Sequence, residues 1–397
     1  MSGVEQDHQV PDWQVIRQTI TVPFTYPVYF GRGLFDPANP LLAEVLVGTV
    51  PERRPRLMVF VDRGVLGSRP DIVQQIEAWL AAWSLRCEGV VPPVILEGGE
   101  LAKTGWEGLK QCAELIVTQR LDRQSYVVVV GGGALLDLVG LASALIHRGL
   151  RLVRVPTTVL AQNDAGVGVK NGIDAWSTKN LIGTFAPPFA VINDYDFLDL
   201  LDEVDWRGGI AEAFKVAIIK DRAFFESLCL AVPALVRRDR AAMESLVKRC
   251  AELHLAHIRE GGDPFERGSA RPLDFGHWVA HQLEILSGYR VRHGQAVAVG
   301  MAVDCLVAES MGWLTGAETQ SVIQALRSVG LPVWDRELDR CTPDGRRMIL
   351  DGLESFREHL GGQLTLTLPR GLGARDEVNA VDPAVLERAF ERLARIS

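Results

Sequence analysis

The stretch SYVVVVGGGALLDLVGLASALIHRG, residues 125–149, decides the fold. Its continuous valine run reads as a strand buried on both faces, the habit of a parallel sheet. Three glycines close the strand, and ALLDLVGLASALIHRG (134–149) continues with the apolar spacing of a helix. The same alternation extends outward. RLMVFVD (56–62), RLVRVPTT (151–158) and FAVIND (189–194) read as strands, and GVVPPVILEGG (89–99) is strand-like, with prolines that limit pairing. DIVQQIEAWLAAW (71–83) and TGWEGLKQCAELIVTQ (104–119) read as helices, and Trp13 to Phe30 as a β-rich opening. Strands separated by helices imply βαβ units. From about Asp205 nearly every segment is helical, with QLTLTLP (363–369) alternating like a strand. The expectation is a Rossmann-like α/β N-terminal domain over residues 1–200 and a mostly α-helical domain over 201–397. The site belongs in the cleft between them.

Composition narrows the function classes. The chain has 397 residues, 42 basic against 50 acidic side chains, and a net charge of -8. That balance argues against a broad affinity for nucleic acid or anionic lipid, while leaving room for a local cationic pocket. Six cysteines without a CxxC pair suit a reducing compartment better than a disulfide framework. No run approaches a membrane span, and MSGVEQDHQVPDWQ lacks the apolar core of a signal peptide. A cytoplasmic protein is expected.

Several residues carry chemistry. Gly131, Gly132 and Gly133 end a buried strand and open a helix, which lets backbone N–H groups approach a pyrophosphate. EGGELAK (97–103) is a second glycine turn, with Glu100 and Lys103 placed to meet ribose or phosphate; such a pair is more often solvated. VPTTVLAQNDAGVGVKNGIDAWSTKN (155–180) reads as a long functional connection in which Lys170, Lys179 and Asn180 offer phosphate donors. Glu212 and Lys215 share a helix face at i, i+3; His277 and His281 share another at i, i+4; His293 precedes the next helix. A Glu and two His would make a three-ligand metal site open to substrate. Trp278 stands where HExxH would need its Glu, so a zincin pattern is excluded, and His254 with His257 is a competing pair. Trp278, Trp79 and Trp83 read most simply as packing residues.

GGGALLD, HRG, VPTTVLAQND, KNGI, KN, GIAEAFK, FGHWVAH and RHGQAVAVGM occur in the order found in the sugar phosphate cyclases. The resemblance covers roughly Phe30 to the C-terminus. It implies a dehydroquinate synthase-like fold, bound NAD, one divalent metal (Zn2+ or Co2+), a small-molecule sugar phosphate as substrate, and a homodimer. By matched position the metal ligands are Glu212, His277 and His293. The dinucleotide residues are Gly131, Gly132, Gly133 and Asp137, with Asp62, Glu100, Lys103, Thr157, Thr158 and Lys179. Asp164, Lys170, Asn180, Lys215, His281 and Asp274 line the substrate pocket, and Arg148 reaches the phosphate in the partner subunit. The implied reaction oxidises a secondary alcohol transiently, eliminates phosphate, returns the hydride and closes a carbocycle by an intramolecular aldol step.

Departures from that pattern bear on the substrate. Dehydroquinate synthases place an Arg and a Lys on the substrate carboxylate, and those places hold Ala270 and Ala256 here, with Arg271 and His257 alongside. RPLDFGH (271–277), with Asp274 for the usual Asn, and REHLGG (357–362) resemble the sedoheptulose 7-phosphate cyclases. His281 is retained where valiolone synthases usually have Pro, which points back the other way. The runs LAQNDAGVGVKNGI and KNLIGTFAPPFAVINDYDFL also depart from those synthases and resemble a branch found in bacterial gene clusters for small metabolites. The alternatives are 3-dehydroquinate synthase, a metal-dependent polyol dehydrogenase that would release NADH, and a catalytically silent scaffold.

Overall fold

The computed structural model describes residues 15–47, 54–176, 178–261, 263–266, 272–359 and 362–396, so Ala270, Arg271 and part of REHLGG lie outside the described residues. The first half holds strands β1 (Val28–Gly31), β2 (Arg56–Asp62), β3 (Glu88–Gly89), β4 (Val94–Leu96), β5 (Tyr126–Gly131), β6 (Arg151–Pro156), β7 (Lys170–Ala175), β8 (Thr178–Phe185) and β9 (Ala190–Asp194). Around them run helices α1 (Leu41–Val47), α2 (Arg63–Ser68), α3 (Ile72–Ala82), α4 (Glu107–Thr118) and α5 (Gly133–Leu145). Seven of the strands form a parallel sheet in the order β1-β9-β6-β5-β2-β3, with β4 also on β2, while β7 and β8 pair as an antiparallel hairpin.

The valine run explains itself in this sheet. Val128 and Val130 enter one core with Ile76 and Trp79 of α3, and Val127 and Val129 enter the other with Ile116 of α4 and Val139 of α5. A strand covered on both faces needs apolar residues at every position, and each buried valine contributes roughly 1.5 kcal/mol.

The chain leaves β2 towards β3 and β4, then returns to β5 on the other side of β2 and continues outward to β6 and β9. The topological switch point therefore lies between β2 and β5, and the register Val61↔Val130 brings Asp62 and Gly131 to the same carboxyl edge. Ligands of open α/β sheets bind at such an edge.

The second half is helical: α6 (Glu203–Lys220), α7 (Arg222–Val236), α8 (Arg240–Glu260), α9 (His277–Leu286), α10 (His293–Ser310), α11 (Gly316–Ser328), α12 (Asp351–His359) and α13 (Pro383–Ile396). A small hairpin of β10 (Leu366–Pro369) and β11 (Arg375–Val378) joins them.

Three expectations need correction. Among the described residues of the opening only Val28–Gly31 is a strand, since Pro23 and Pro27 donate no ladder hydrogen bond. GVVPPVILEGG is split into β3 and β4 around Pro92 and Pro93. The supposed loop 155–180 is a π-helical turn (Ala161–Ala165) followed by the β7–β8 hairpin. KNGIDA does not read as a strand because its buried partners are polar. The Arg154 guanidinium, fully buried, donates to the Asn171 side chain at 2.6 Å and to the carbonyls of Gly168 and Lys170.

Candidate active site

Glycine contacts bring the three helices of the proposed metal site together. A Cβ on Gly294 of α10 would lie 2.3 Å from the Gly208 carbonyl oxygen of α6. A Cβ on Gly300 would lie 1.9 Å from the Gly276 carbonyl oxygen, at the start of α9. Backbone therefore touches backbone, and Glu212 (α6), His277 (α9) and His293 (α10) converge, with one ligand atom of each within 4.8 Å of the others. Gly276 itself has φ +80°, a conformation that favours glycine.

The donor set fits a divalent metal. His277 Nδ1 lies 3.1 Å from the Phe275 carbonyl, which directs its Nε2 lone pair to the site. His293 Nδ1 lies 3.1 Å from Glu284 Oε2, the carboxylate–histidine arrangement that orients metal ligands. Both Glu212 oxygens are buried, Oε2 facing Lys215 and Oε1 facing His293 Nε2 at 3.5 Å. Burial alone would raise the Glu212 carboxyl, but Lys215 outweighs it and holds it at about 2. Burial and Lys215 push His277 down to about 4, so its imidazole is neutral and able to ligate. Burial opposes protonation of His293 as well, yet Glu284 and Glu212 lift it to about 9. A cation among the three would replace that proton.

Around the triad stands a buried polar network. Lys215 Nζ lies 2.5 Å from Glu212 Oε2 and 3.8 Å from Asp164 Oδ1, and His254 Nδ1 lies 2.9 Å from the same Asp164 oxygen. Although burial works against both charges, Asp164 and Glu212 hold the Lys215 ammonium up, while Lys215 and His254 hold the Asp164 carboxyl well below its usual range. Asp274 adds to the field on Lys215. The His281 ring centroid is 5.3 Å from that of His277 and 6.2 Å from that of His293, and burial keeps its imidazole neutral.

The residues expected to hold a dinucleotide gather at the switch point. Asp62 ends β2, accepts from the Gly64 N–H at 2.8 Å and caps α2. A Cβ on Gly98 would lie 2.0 Å from Asp62 Oδ1, and one on Gly131 3.0 Å from Asp62 Cβ. Gly132 is the N-cap of α5 and supplies no side-chain hydrogen bond to the first amides, which leaves them for an anion. The Thr157 N–H donates to Gly131, and the Thr158 hydroxyl accepts from Ala161. Such a glycine cradle at the switch point fits a dinucleotide.

Lys103 is not solvated, while Glu100 stays partly exposed. Lys103 is buried, 3.2 Å from Asp137 Oδ2, 2.7 Å from Asn180 Oδ1 and 3.6 Å from Glu100 Oε2. Lys179 is buried too and reaches Glu284 Oε1 at 2.7 Å and Glu100 at 3.6 Å, which links the nucleotide end to His293. Lys170, at the start of β7, pairs with Glu266 at 2.6 Å. Arg148 is apart from the triad, in a turn after α5, where it lines a cavity of about 580 Å³ with Arg123, Arg151 and Phe185. Of the competing histidines, His254 serves Asp164 and neither joins the triad. The tryptophans are packing residues in part: Trp79 and Trp278 are buried, and Trp278 donates to Asp304 at 2.8 Å.

Two buried acids near the candidate site escaped the sequence reading. Glu284 continues the face of His277 and His281 at i, i+7, and that spacing would have found it. Asp304, accepting from Gly276 N–H and Trp278, is an acid in the apolar middle of α10, and burial pushes its carboxyl up to about 7. Glu284→Gln keeps the shape but removes the charge facing His293 and Lys179. The expected result is metal bound roughly 10- to 100-fold more weakly, read by competition with a chelator; unchanged affinity would remove Glu284 from the site.

The family model for the N-terminal part of 3-dehydroquinate synthase matches residues 93–208, and the C-terminal one matches 209–344. The chain belongs to this family, within the sugar phosphate cyclases. A 2-epi-5-epi-valiolone synthase from Streptomyces glaucescens is 34% identical over 377 residues, 93% of this chain and 92% of that one. The 3-dehydroquinate synthase of Paracoccus denitrificans (strain Pd 1222) is 32% identical over 370 residues, covering 92% and 95%. The solved structure of ValA, the 2-epi-5-epi-valiolone synthase from Streptomyces hygroscopicus subsp. jinggangensis 5008 with NAD+ and Zn2+ bound, superposes with a TM-score of 0.83. It is 29% identical and covers 96% of this chain and 100% of that one. No helix among the described residues is long and apolar enough to cross a membrane.

Proposed function

We propose that the protein converts sedoheptulose 7-phosphate to a carbocyclic valiolone-type cyclitol with release of phosphate. The observation that carries the substrate choice is the pair Ala256 and Ala270, standing where dehydroquinate synthases hold the carboxylate with Lys and Arg. Identity does not separate the two readings, since relatives of both kinds match at 32% to 34%. A site with alanines there offers a carboxylate no bidentate partner but accommodates a neutral hydroxymethyl end.

Residues 1–200 would hold NAD through the Gly131–Gly133 cradle, Asp62 and the Glu100–Lys103–Asp137 network. Residues 201–397 would hold Zn2+ or Co2+ through Glu212, His277 and His293. When bound, these groups supply Lewis-acid polarisation of a hydroxyl and reversible hydride uptake, with no net redox change. Lys215, kept charged by its two carboxylates, donates to substrate hydroxyls, and ionised Asp164 accepts from them. Neutral His281 can take up or return a proton beside the triad. Asp274 favours hydroxyls over an anion near Lys215. Lys170, Asn180 and the partner subunit's Arg148 would meet the phosphate in a homodimer; the separation of Arg148 from its own chain's triad supports that role. Six free cysteines suit a cytoplasmic enzyme.

The test is phosphate release by the NAD- and metal-loaded protein from sedoheptulose 7-phosphate and, separately, from 3-deoxy-arabino-heptulosonate 7-phosphate. Release from the first alone is expected. Release from the second alone would make the protein a 3-dehydroquinate synthase.

A further inference from the structure

A second cationic site lies at the far end of α6, five residues beyond Lys215. Lys220 and Arg375 line one open cavity of about 510 Å³, together with Ile219, Gly373, Ala374, Asp376 and Glu377. The β10–β11 connection is built to hold them there. The Gly373 N–H donates to the Ile218 carbonyl at 2.7 Å, and Gly373 has φ +85° with the place of a Cβ 2.5 Å from Arg222 N. Only glycine fits that approach, which seats Arg375 beside the end of α6.

Both cations are partly buried, yet neither has a carboxylate within 4.0 Å among the described residues. The neighbouring acids are engaged or at a distance: Asp376 pairs with Arg370 at 2.6 Å, Glu260 with Arg259 at 2.5 Å, and Glu377 acts on Arg375 only through its field. Burial and Arg375 push the Lys220 ammonium down to about 8. His257 of α8, which does not line the cavity, is pushed down to about 4 by burial and then by Lys220, His254, Arg375 and Lys170. One helical turn before it, His254 holds Asp164. Lys220 and Arg375 repel one another, and Glu260 and Glu377 offset this only through their fields.

We propose that Lys220 and Arg375 form a phosphate-binding vestibule next to the reaction centre. Two sources share its chemistry: the phosphoryl group of an arriving sugar phosphate and the inorganic phosphate that leaves. The proposal rests on the phosphate-releasing reaction for its purpose, but its test needs no turnover.

The experiment is calorimetric titration of inorganic phosphate into the NAD- and zinc-loaded protein, as wild type, K220M/R375Q and the charge-preserving K220R/R375K. Phosphate binding at least about tenfold weaker in K220M/R375Q is expected, with zinc content, NAD affinity and melting temperature unchanged and binding retained in K220R/R375K. A parallel rise in KM for the sugar phosphate assigns the vestibule to substrate entry; a rise only in the inhibition constant of phosphate assigns it to product exit. An unchanged phosphate isotherm overturns the proposal. So does acetate binding as tightly as phosphate and being lost in K220M/R375Q, which would make the cluster a carboxylate anchor. A protein inactive on sedoheptulose 7-phosphate but with the expected isotherms would refute the proposed substrate and leave the vestibule standing.

Discussion

His277→Ala is expected to strip the metal and to cut phosphate release by at least about a thousandfold. His277 is one of the three proposed ligands, and its imidazole is held neutral and aimed by the Phe275 carbonyl, so alanine would remove a bond no neighbour replaces. His281 is 5.3 Å away centroid to centroid and belongs to the same helix, so it cannot enter the His277 position without rotating α9. Loss of Lewis-acid stabilisation worth several kcal/mol corresponds to three or more powers of ten in rate, at about 1.4 kcal/mol each. Metal analysis and phosphate release on the same preparation check it. Full metal content with lost activity would move His277 from ligand to proton carrier; retained activity without metal would favour the scaffold reading.

The second large effect is on Lys215. Its ammonium stands between the buried Glu212 and the largely covered Asp164, and the Asp164 charge works to raise the Glu212 carboxyl. Lys215→Met removes the cation the two carboxylates share and leaves Asp164 with only His254 and Glu212 with only His293. Breaking a buried pair in this way costs about 3–5 kcal/mol. Thermal unfolding of the metal-free protein should drop accordingly, and zinc should recover part of the loss because it supplies positive charge to Glu212. Turnover should fall about a hundredfold or more even when zinc is restored, since no group then donates to the substrate hydroxyls. An unchanged melting temperature would mean that one carboxylate is protonated in the native protein, against the direction of both carboxyl shifts.

The fold was legible where one physical demand dominates. A strand such as VVVV needs apolar residues on both faces, and a helix such as Glu107–Thr118 needs an apolar stripe, so both announce themselves. The β7–β8 hairpin was missed because its core is polar: Asn171 and Asp174 are buried against Arg154 and the Asn180 backbone, pairings that no periodicity encodes. The ligand triad was visible as motifs, but the choice between it and His254/His257 depended on helices meeting through Gly208, Gly276, Gly294 and Gly300. Those contacts join residues far apart in the chain. Lys179 looked like a phosphate donor because loop lysines usually face solvent; only the folded chain shows Glu284 beneath it.

The central claim is a cyclisation through transient oxidation, and the most direct measurement is NMR of the product formed from carbon-13-labelled sedoheptulose 7-phosphate with substoichiometric NAD. The account predicts one carbocyclic product per phosphate released, with no NADH accumulating at its absorbance band. An open-chain ketone formed together with stoichiometric NADH would contradict it and make the protein a polyol dehydrogenase.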